Sequence, residues 1–233
     1  MEPLPEVRAA AERLAALSDD GLELLPALDV VSTLAVSVLP SCVGVSITLV
    51  VDGNPFTVTA TTPEMAVVDA AQYLTEQGPC VEASPDSGPL RVDDVLDEGR
   101  WQDFAQAAAA VGIRSSLSIP LASADGERIG ALNLYAGDVD AFRGNEERVA
   151  EMFGAHVQDV VRNADLSFMT RDLARGLPQR LDEHEKVNQA VGVLVGRRGF
   201  TPERARERMG FAARQAGIPL AAVADLVMIL GTG

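Results

Sequence analysis

The spacing of apolar residues predicts helices at the start of the chain and a sheet after them. Residues 6–17 place apolar side chains at every third or fourth position, and residues 22–39 repeat this pattern with an interruption near Pro26. From Val43 to Val51 the period changes, because apolar residues alternate with small polar ones as in a half-buried strand. The N-terminal part therefore combines helices with strands.

Turn-forming residues divide the next segment into paired strands. Asp52-Gly53-Asn54 and Ala124-Asp125-Gly126-Glu127 have the composition of hairpin turns. The pattern around them predicts strands at 43–51, 56–60, 90–92, 116–121 and 128–135, helices at 63–75 and 101–111, and a loop rich in Gly, Pro and Ser at 77–89. An antiparallel sheet with helices on its faces is an α+β fold.

The C-terminal segment predicts three short helices. The first has an apolar stripe that includes Val187, Ala190 and Leu194, and Gly192 leaves a gap in its side-chain surface. That glycine costs roughly 1 kcal/mol relative to Ala unless another backbone approaches closely. Thr201-Pro202 has the residues of an N-cap and first position, Gly217 ends the second helix, and Pro219 begins the third. We predict a compact three-helix bundle.

A longer helical pattern connects the two regions. Apolar residues continue at helical spacing through residues 145–176, and a helix of about 30 residues would be about 45 Å long. Its distal half therefore needs a partner, and pairing with a second copy gives a homodimer. The alternative is that Gly176 and Pro178 end the helix early and that it packs within one chain.

Charge separates the two regions. The formal net charge is −15; residues 1–166 hold 9 Lys and Arg against 27 Asp and Glu, whereas residues 167–233 hold 10 against 7. An acidic molecule is a poor general nucleic-acid binder, so any RNA contact is expected from the C-terminal bundle. A solvated helix surface is the alternative explanation for so small a positive excess.

Composition excludes several classes of protein. Apolar residues make up 47% of the chain, no apolar run reaches the ~20 residues of a membrane span, and the N-terminus lacks the basic region of a signal peptide. Cys42 and Cys80 do not form a disulfide framework, so we expect a cytoplasmic protein. We find no catalytic motif, no phosphate-binding loop and no metal-ligand spacing, and predict neither enzymatic activity nor a cofactor.

The C-terminal helices resemble the ANTAR domain, an RNA-binding module of bacterial transcription antiterminators. The matching residues are Val187, Ala190, Gly192, Leu194, Ala205, Met209, Ala212 or Ala213, Ala224 and Val227. The chain departs from the usual Ala-Lys-Gly-Ile-Leu-Met motif, because Val191 replaces the Lys and Val195 replaces the Met. The loss of that Lys removes one candidate phosphate contact.

The preceding region resembles a GAF domain, a sensory module that binds small molecules or partners. The resemblance covers about residues 22–165 and rests on the segments 76–80, 100–101, 112–116, 120–121, 130–135 and 141–142. Cyclic-nucleotide-binding members carry Asn-Lys where this chain has Asn133-Leu134, which disfavours that ligand. The sequence does not name another ligand.

These resemblances imply two sets of candidate site residues. For RNA they are Lys186, Ala190, Gly192, Arg197, Arg198, Arg204, Arg206 and Arg214. For a GAF pocket they are Cys80, whose pKa a loop of backbone N–H groups would lower, Trp101, which would stack on a ligand, and Asn133. Structural roles are the alternatives, with Cys80 as an inert thiol and Trp101 as a cover for the core.

We therefore predict four segments. Residues 1–21 form a helix that packs on the sensor or on its dimer mate, and residues 22–165 form the GAF domain. Residues 166–180 contain the end of the signalling helix, which is the predicted helix at 145–176, and a linker. Residues 181–233 form the ANTAR domain. The first functional hypothesis is an antiterminator that binds RNA stem-loops under control of a small-molecule or protein signal. The second is a dimeric sensor whose altered bundle binds a protein instead of RNA.

Overall fold

The structure is a computed structural model that describes residues 24–39, 41–123, 125–154, 157–158, 161 and 184–231. The predicted helix at 1–21, the linker at 166–180 and most of the connecting helix lie outside the described residues. The dimer contact that we predict for residues 145–176 therefore stays a prediction.

The N-terminal domain is built on a five-stranded antiparallel sheet with the order β2-β1-β5-β4-β3. The strands are β1 (Cys42–Val51), β2 (Asn54–Ala60), β3 (Leu90–Val92), β4 (Ser115–Ala122) and β5 (Arg128–Ala136). Two hairpins, β1–β2 and β4–β5, come together through pairing of β1 with β5. The predicted α+β fold is confirmed.

Helices cover both faces of this sheet. They are α1 (Leu24–Val38), α2 (Pro63–Thr75), α3 (Pro79–Glu82), α4 (Gln102–Ala110) and α5 (Glu146–Val149), which continues as a π-helical turn at Ala150–Gly154. Two details differ from the prediction. Pro26 does not interrupt α1, because it lies near the start of the helix, where a missing N–H removes no intrahelical bond. The predicted loop at 77–89 contains the short helix α3.

Strand alternation gives the two faces of the sheet different chemistry. On one face, Val45, Ile47 and Leu49 of β1 join Leu132 and Leu134 of β5 in an apolar core. This core is completed by α1 and by the segment around Phe153. On the other face the same strands present polar side chains toward α2. The second face therefore needs hydrogen-bond partners inside the protein.

The C-terminal bundle consists of α6 (His184–Arg198), α7 (Pro202–Ala216) and α8 (Leu220–Gly231). The hydroxyl of Thr201 accepts a hydrogen bond from the N–H of Arg204, and Gly217 ends α7 in a left-handed conformation with φ of 66°. Both caps are as the sequence predicts. Small residues such as Ala190, Ala205 and Ala224 fill the centre and let the helices approach closely.

The bundle packs against α2 and α4 of the N-terminal domain. A single apolar cluster contains Ala70 and Leu74 of α2 together with Met209 of α7 and Leu230 of α8. Gln106 of α4 donates a hydrogen bond of 2.7 Å to the carbonyl of Ile229 in α8. In the described part of the chain, no single helix is long and apolar enough to cross a bilayer; α7 and α8 pass that test only as a pair bent by 116°.

Candidate functional site

A cluster of polar side chains is buried between the sheet and α2. Its members come from three strands and two helices and are at most 6% exposed: Ser46, Thr48, Thr57, Asp69, Tyr73, Cys80, Asn133 and Tyr135. β1 and β5 are adjacent strands, and Ser46 lies opposite Asn133 in their pairing. This register brings the polar residues of both strands beneath Asp69 and Tyr73, which are one turn apart on α2.

Asp69 lies at the centre of the cluster. Its Oδ1 accepts hydrogen bonds from Tyr135 Oη at 2.7 Å and Ser46 Oγ at 3.1 Å, and its Oδ2 accepts one from Thr57 Oγ1 at 2.8 Å. All three donors are neutral hydroxyl groups. The carboxyl group is thus hydrogen-bonded but is removed from water, and no cation among the described residues pairs with it.

Burial controls the protonation of these groups. It raises the pKa of Asp69 from 3.8 to about 6, and the hydrogen bonds from Tyr135, Thr57 and Ser46 oppose that rise. Burial, followed by the charge of Asp69, also raises the pKa of the Tyr73 and Tyr135 hydroxyls well above 10. Asp69 is therefore the group in this cluster that titrates near neutral pH.

The second layer of the cluster is less fully hydrogen-bonded. Asn133 Nδ2 donates to Ser46 Oγ at 3.1 Å and to Thr48 Oγ1 at 3.2 Å, while Asn133 Oδ1 has no hydrogen-bond partner among the described residues. Nε2 of Gln72, on the same helix as Asp69, is also buried without a partner. A buried amide oxygen and a buried amide N–H thus remain able to bind a small polar group.

The C-terminal bundle carries a different surface. Asn188, Gly192 and Gly196 are exposed and lie four residues apart on one face of α6. Arg206 of α7 donates from Nη2 to Asn188 Oδ1 at 2.9 Å, which places a guanidinium group beside this face. A Cβ atom added at Gly192 or Gly196 would meet nothing within 4 Å. Packing within the described chain therefore does not explain why these positions are glycine.

Comparison with known families agrees with this architecture. A family model described as GAF domain matches residues 27–162, and one described as ANTAR domain matches residues 175–228. The chain belongs to the GAF–ANTAR proteins. Among curated proteins, none matches the chain significantly. The N-terminal domain is the GAF domain, a sensor, and the three-helix bundle is the ANTAR domain, an output domain of the RNA-binding type.

Solved structures share the fold of the GAF domain. The chain is similar to the reduced form of fRMsr of Staphylococcus aureus (19% identity, 68% of this chain and 94% of that chain, TM-score 0.50). It is also similar to free methionine-R-sulfoxide reductase from Neisseria meningitidis in complex with its substrate (15%, 73% and 96%, 0.50). A third is the GAF domain from Acinetobacter phosphoenolpyruvate-protein phosphotransferase (11%, 73% and 99%, 0.50). At these identities the likeness concerns the fold alone.

The predicted GAF pocket residues occupy different surroundings. Asn133 and Cys80 belong to the polar cluster, where Cys80 Sγ lies 3.7 Å from Thr48 Oγ1. The expected lowering of the pKa of Cys80 is wrong, because burial of the thiol within α3 raises it. Trp101 lies in an apolar cluster with Phe104, and its indole N–H donates to Glu82 rather than to the polar cluster.

The predicted RNA-binding residues also differ in their exposure and in their contacts. Ala190 is fully buried in the bundle, so its side chain packs the core and is not available to RNA. Lys186 is exposed and forms an ion pair with Asp225 at 2.8 Å, and Arg198 forms one with Asp103 of the GAF domain. The remaining predicted contacts are exposed residues: Gly192, Arg197, Arg204, Arg206 and Arg214.

Sequence reasoning missed the central residues of the polar cluster and one arginine. Asp69 is the only charged residue between Glu64 and Glu76, in a mainly apolar segment, and that isolation was the available signal. Arg208 lies on the same helix as Arg204 and Arg206, yet its side chain is only 16% exposed and contacts the GAF domain. Nothing in the sequence distinguishes Arg208 from its neighbours.

Proposed function

We propose that this protein is a cytoplasmic transcription antiterminator whose GAF domain controls the binding of RNA stem-loops by the ANTAR bundle. The observation that carries the proposal is the exposed face of α6 with Arg206 beside it. RNA loops are recognised through backbone charge, shape and unstacked bases. A face without side chains at Gly192 and Gly196 lets an RNA backbone or base approach the helix closely, and Arg206 supplies a phosphate contact.

The charge of the bundle supports this assignment. Residues 184–231 contain seven Lys and Arg against four Asp and Glu, within a chain whose net charge is −15. A further stacking surface lies at the α6–α7 connection, where the Arg204 guanidinium lies 5.2 Å from the centre of the Phe200 ring. Phosphate contacts and stacking surfaces are the two elements that single-stranded RNA loops require.

One feature favours a bundle that binds protein instead. Val191, which replaces the family Lys, is only 5% exposed and belongs to the bundle core. That position therefore supplies no phosphate contact, and recognition of RNA has to come from Arg206 and its neighbours. A protein partner would use the same exposed face of α6 without the strong salt dependence of RNA binding.

For the sensor, we propose that the polar cluster responds to a small polar ligand or to a partner that rearranges α2. Support comes from Asn133 Oδ1 and Gln72 Nε2, an acceptor and a donor that are buried without partners. An N–H group on a ligand would satisfy Asn133 Oδ1, and a carbonyl group would satisfy Gln72 Nε2. Because none of the cations that the structure describes pairs with Asp69, a cationic group on the ligand would also stabilise the ionised carboxylate.

We further propose that the domain acts without catalysis. Cys42 and Thr48 are six residues apart on β1, which is about 20 Å in a strand, and Cys80 lies beside Thr48. The two thiols of one chain are therefore too far apart to form a disulfide, which requires Cβ atoms within about 4.5 Å. A redox cycle between them within one chain is not available in this arrangement.

The proposal is tested by fluorescence anisotropy of a labelled RNA with two stem-loops across a salt series. We expect salt-sensitive binding that is lost when the loop sequences are scrambled. Arg206→Ala should reduce the slope of log affinity against log salt concentration by about one unit, which corresponds to the loss of one phosphate contact. Arg206→Lys should restore most of that slope. If sedimentation shows that the protein is dimeric and it still does not bind the RNA, the result would favour the alternative that the bundle binds a protein partner.

A further inference from the structure

Arg208 of the ANTAR bundle reaches into the GAF domain and binds the C-terminal end of α2. Its Nε donates to the carbonyl of Leu74 at 3.1 Å, and its Nη2 donates to the carbonyls of Tyr73 at 2.5 Å and Leu74 at 2.8 Å. Its Nη1 contacts Glu76 Oε1 at 2.5 Å. The last carbonyls of a helix lack intrahelical partners and carry partial negative charge, so a guanidinium group suits them.

Two further contacts join the same surfaces. Arg198, at the end of α6, forms an ion pair with Asp103 of α4, whose side chain is 18% exposed. Gln106 of α4 donates to the carbonyl of Ile229 in α8. Between them, Leu74 and Asp103 line a crevice with Leu194 and Leu230. The bundle is thus held to the GAF domain by polar contacts around an apolar centre.

Helix α2 connects this interface to the buried polar cluster. Asp69 and Tyr73 point toward the sheet, where their side chains bond Ser46, Thr57 and Thr48. Ala70 and Leu74, one residue further along, belong to the apolar cluster shared with the bundle. A shift or rotation of α2 that changes the hydrogen bonds of Asp69 therefore also moves the carbonyl groups that hold Arg208.

We propose that this docking restrains the output: the GAF domain holds the ANTAR bundle through Arg208, and release of that contact raises the affinity of the bundle for RNA. The inference rests on the proposed function. Docking commits Arg198 and Arg208, two of the seven basic residues of the bundle, to acceptors on the GAF domain. It also keeps the bundle against a domain whose described residues hold 6 Arg and 19 Asp and Glu, and the field of these acids repels RNA within a Debye length of about 8 Å.

The test compares full-length Arg208→Ala with Arg214→Ala, which removes an exposed arginine from the same helix. Undocking should make Arg208→Ala bind the two-stem-loop RNA more tightly, by up to roughly tenfold, although the variant has lost a positive charge. Arg214→Ala should bind equally well or more weakly. Weaker binding by Arg208→Ala, with an unchanged thermal transition, would show that Arg208 contacts RNA and would overturn the proposal.

Hydrogen–deuterium exchange separates this inference from the proposed function, because it needs no RNA. Arg208→Ala should increase exchange in the last turn of α2 and in α4, whereas Arg214→Ala should leave both unchanged. If no variant binds RNA but the exchange pattern changes as stated, the RNA function fails and the docking stands. Unchanged exchange in both variants would overturn the docking itself.

A second pair of variants keeps the test independent of the stability of Arg208→Ala. Asp103→Asn removes the partner of Arg198 from the GAF side and leaves every residue of the bundle intact. Asp86→Asn removes an exposed acid from the loop between α3 and β3 and serves as the matched control for net charge. Tighter RNA binding by Asp103→Asn alone supports the restraint. An equal effect of both variants would show that only the net charge of the GAF domain matters, and would contradict the proposal.

Discussion

Tyr135 Oη donates a hydrogen bond of 2.7 Å to Asp69 Oδ1, and this bond joins the central strand β5 to α2. Tyr135→Phe should therefore destabilise the GAF domain, because the buried carboxyl group keeps only two of its three donors. Loss of a hydrogen bond to a charged or buried acceptor costs about 1–3 kcal/mol. Urea denaturation of both proteins at pH 7 measures the difference in free energy of unfolding.

Tyr73→Phe is the matched control for this variant. Its hydroxyl lies 2.9 Å from the hydroxyls of Thr48 and Thr57 and makes no direct hydrogen bond to Asp69, so its removal should cost less, about 0.5–1.5 kcal/mol. An equal loss in the two variants would show that Asp69 is not the centre of the network.

The protonation of Asp69 predicts a dependence of stability on pH. Because burial raises the pKa in the folded state from 3.8 to about 6, the folded protein binds the proton more tightly than the unfolded chain. The contribution of Asp69 protonation to the free energy of unfolding is complete below pH 3.8 and is lost as the pH rises through about 6. The size of this loss is of order 3 kcal/mol.

The measurement compares wild type with Asp69→Asn in urea between pH 4 and pH 7.5. The difference between the two proteins isolates Asp69, since Asp93 and Asp94 have lowered pKa values and act in the opposite direction. The tyrosines and Cys80 of the cluster do not titrate in this range, because burial raises their pKa values. A difference in free energy that is constant across this range would contradict the assignment.

The fold was accessible from the sequence because its main signals are local. Alternation through Val43–Val51 and the turn at Gly53 specify a strand pair, and Thr201 with Gly217 specifies the limits of α7. The polar cluster was only partly accessible, because alternation places Ser46 and Thr48 on one face but does not show which helix covers it. The docking through Arg208 depends on how two domains meet, and local periodicity carries no information about that contact.

Chemical reactivity of the thiols tests the arrangement around β1 and α3. Cys80 is fully buried, Cys42 is 8% exposed, and burial raises the pKa of both, that of Cys42 to about 11. Both should resist alkylation by iodoacetamide at pH 8 in the folded protein and react readily in urea, because the thiolate is the nucleophile. Mass spectrometry of the modified peptides measures each cysteine separately. Rapid modification of Cys80 without denaturant would favour a reactive sensor thiol.

Gly192→Ala separates the stability of the bundle from its binding function. An added Cβ meets nothing within 4 Å, so the variant should gain up to about 1 kcal/mol from the higher helix propensity of Ala, measured as a higher thermal midpoint. If RNA approaches the backbone of α6 at this position, the same methyl group should weaken binding of the stem-loop RNA. Stability and affinity would then change in opposite directions.

Gly210→Ala on α7 provides the comparison for Gly192→Ala. Its added Cβ would lie 3.3 Å from the flexible end of Arg214, which can move aside, so the gain in helix propensity should be similar. RNA affinity should fall in Gly192→Ala and change less in Gly210→Ala, where only the exposed side chain of Arg214 has to move. A stabilised Gly192→Ala protein that binds RNA as well as wild type would exclude close approach at this face and leave its two exposed glycines unexplained.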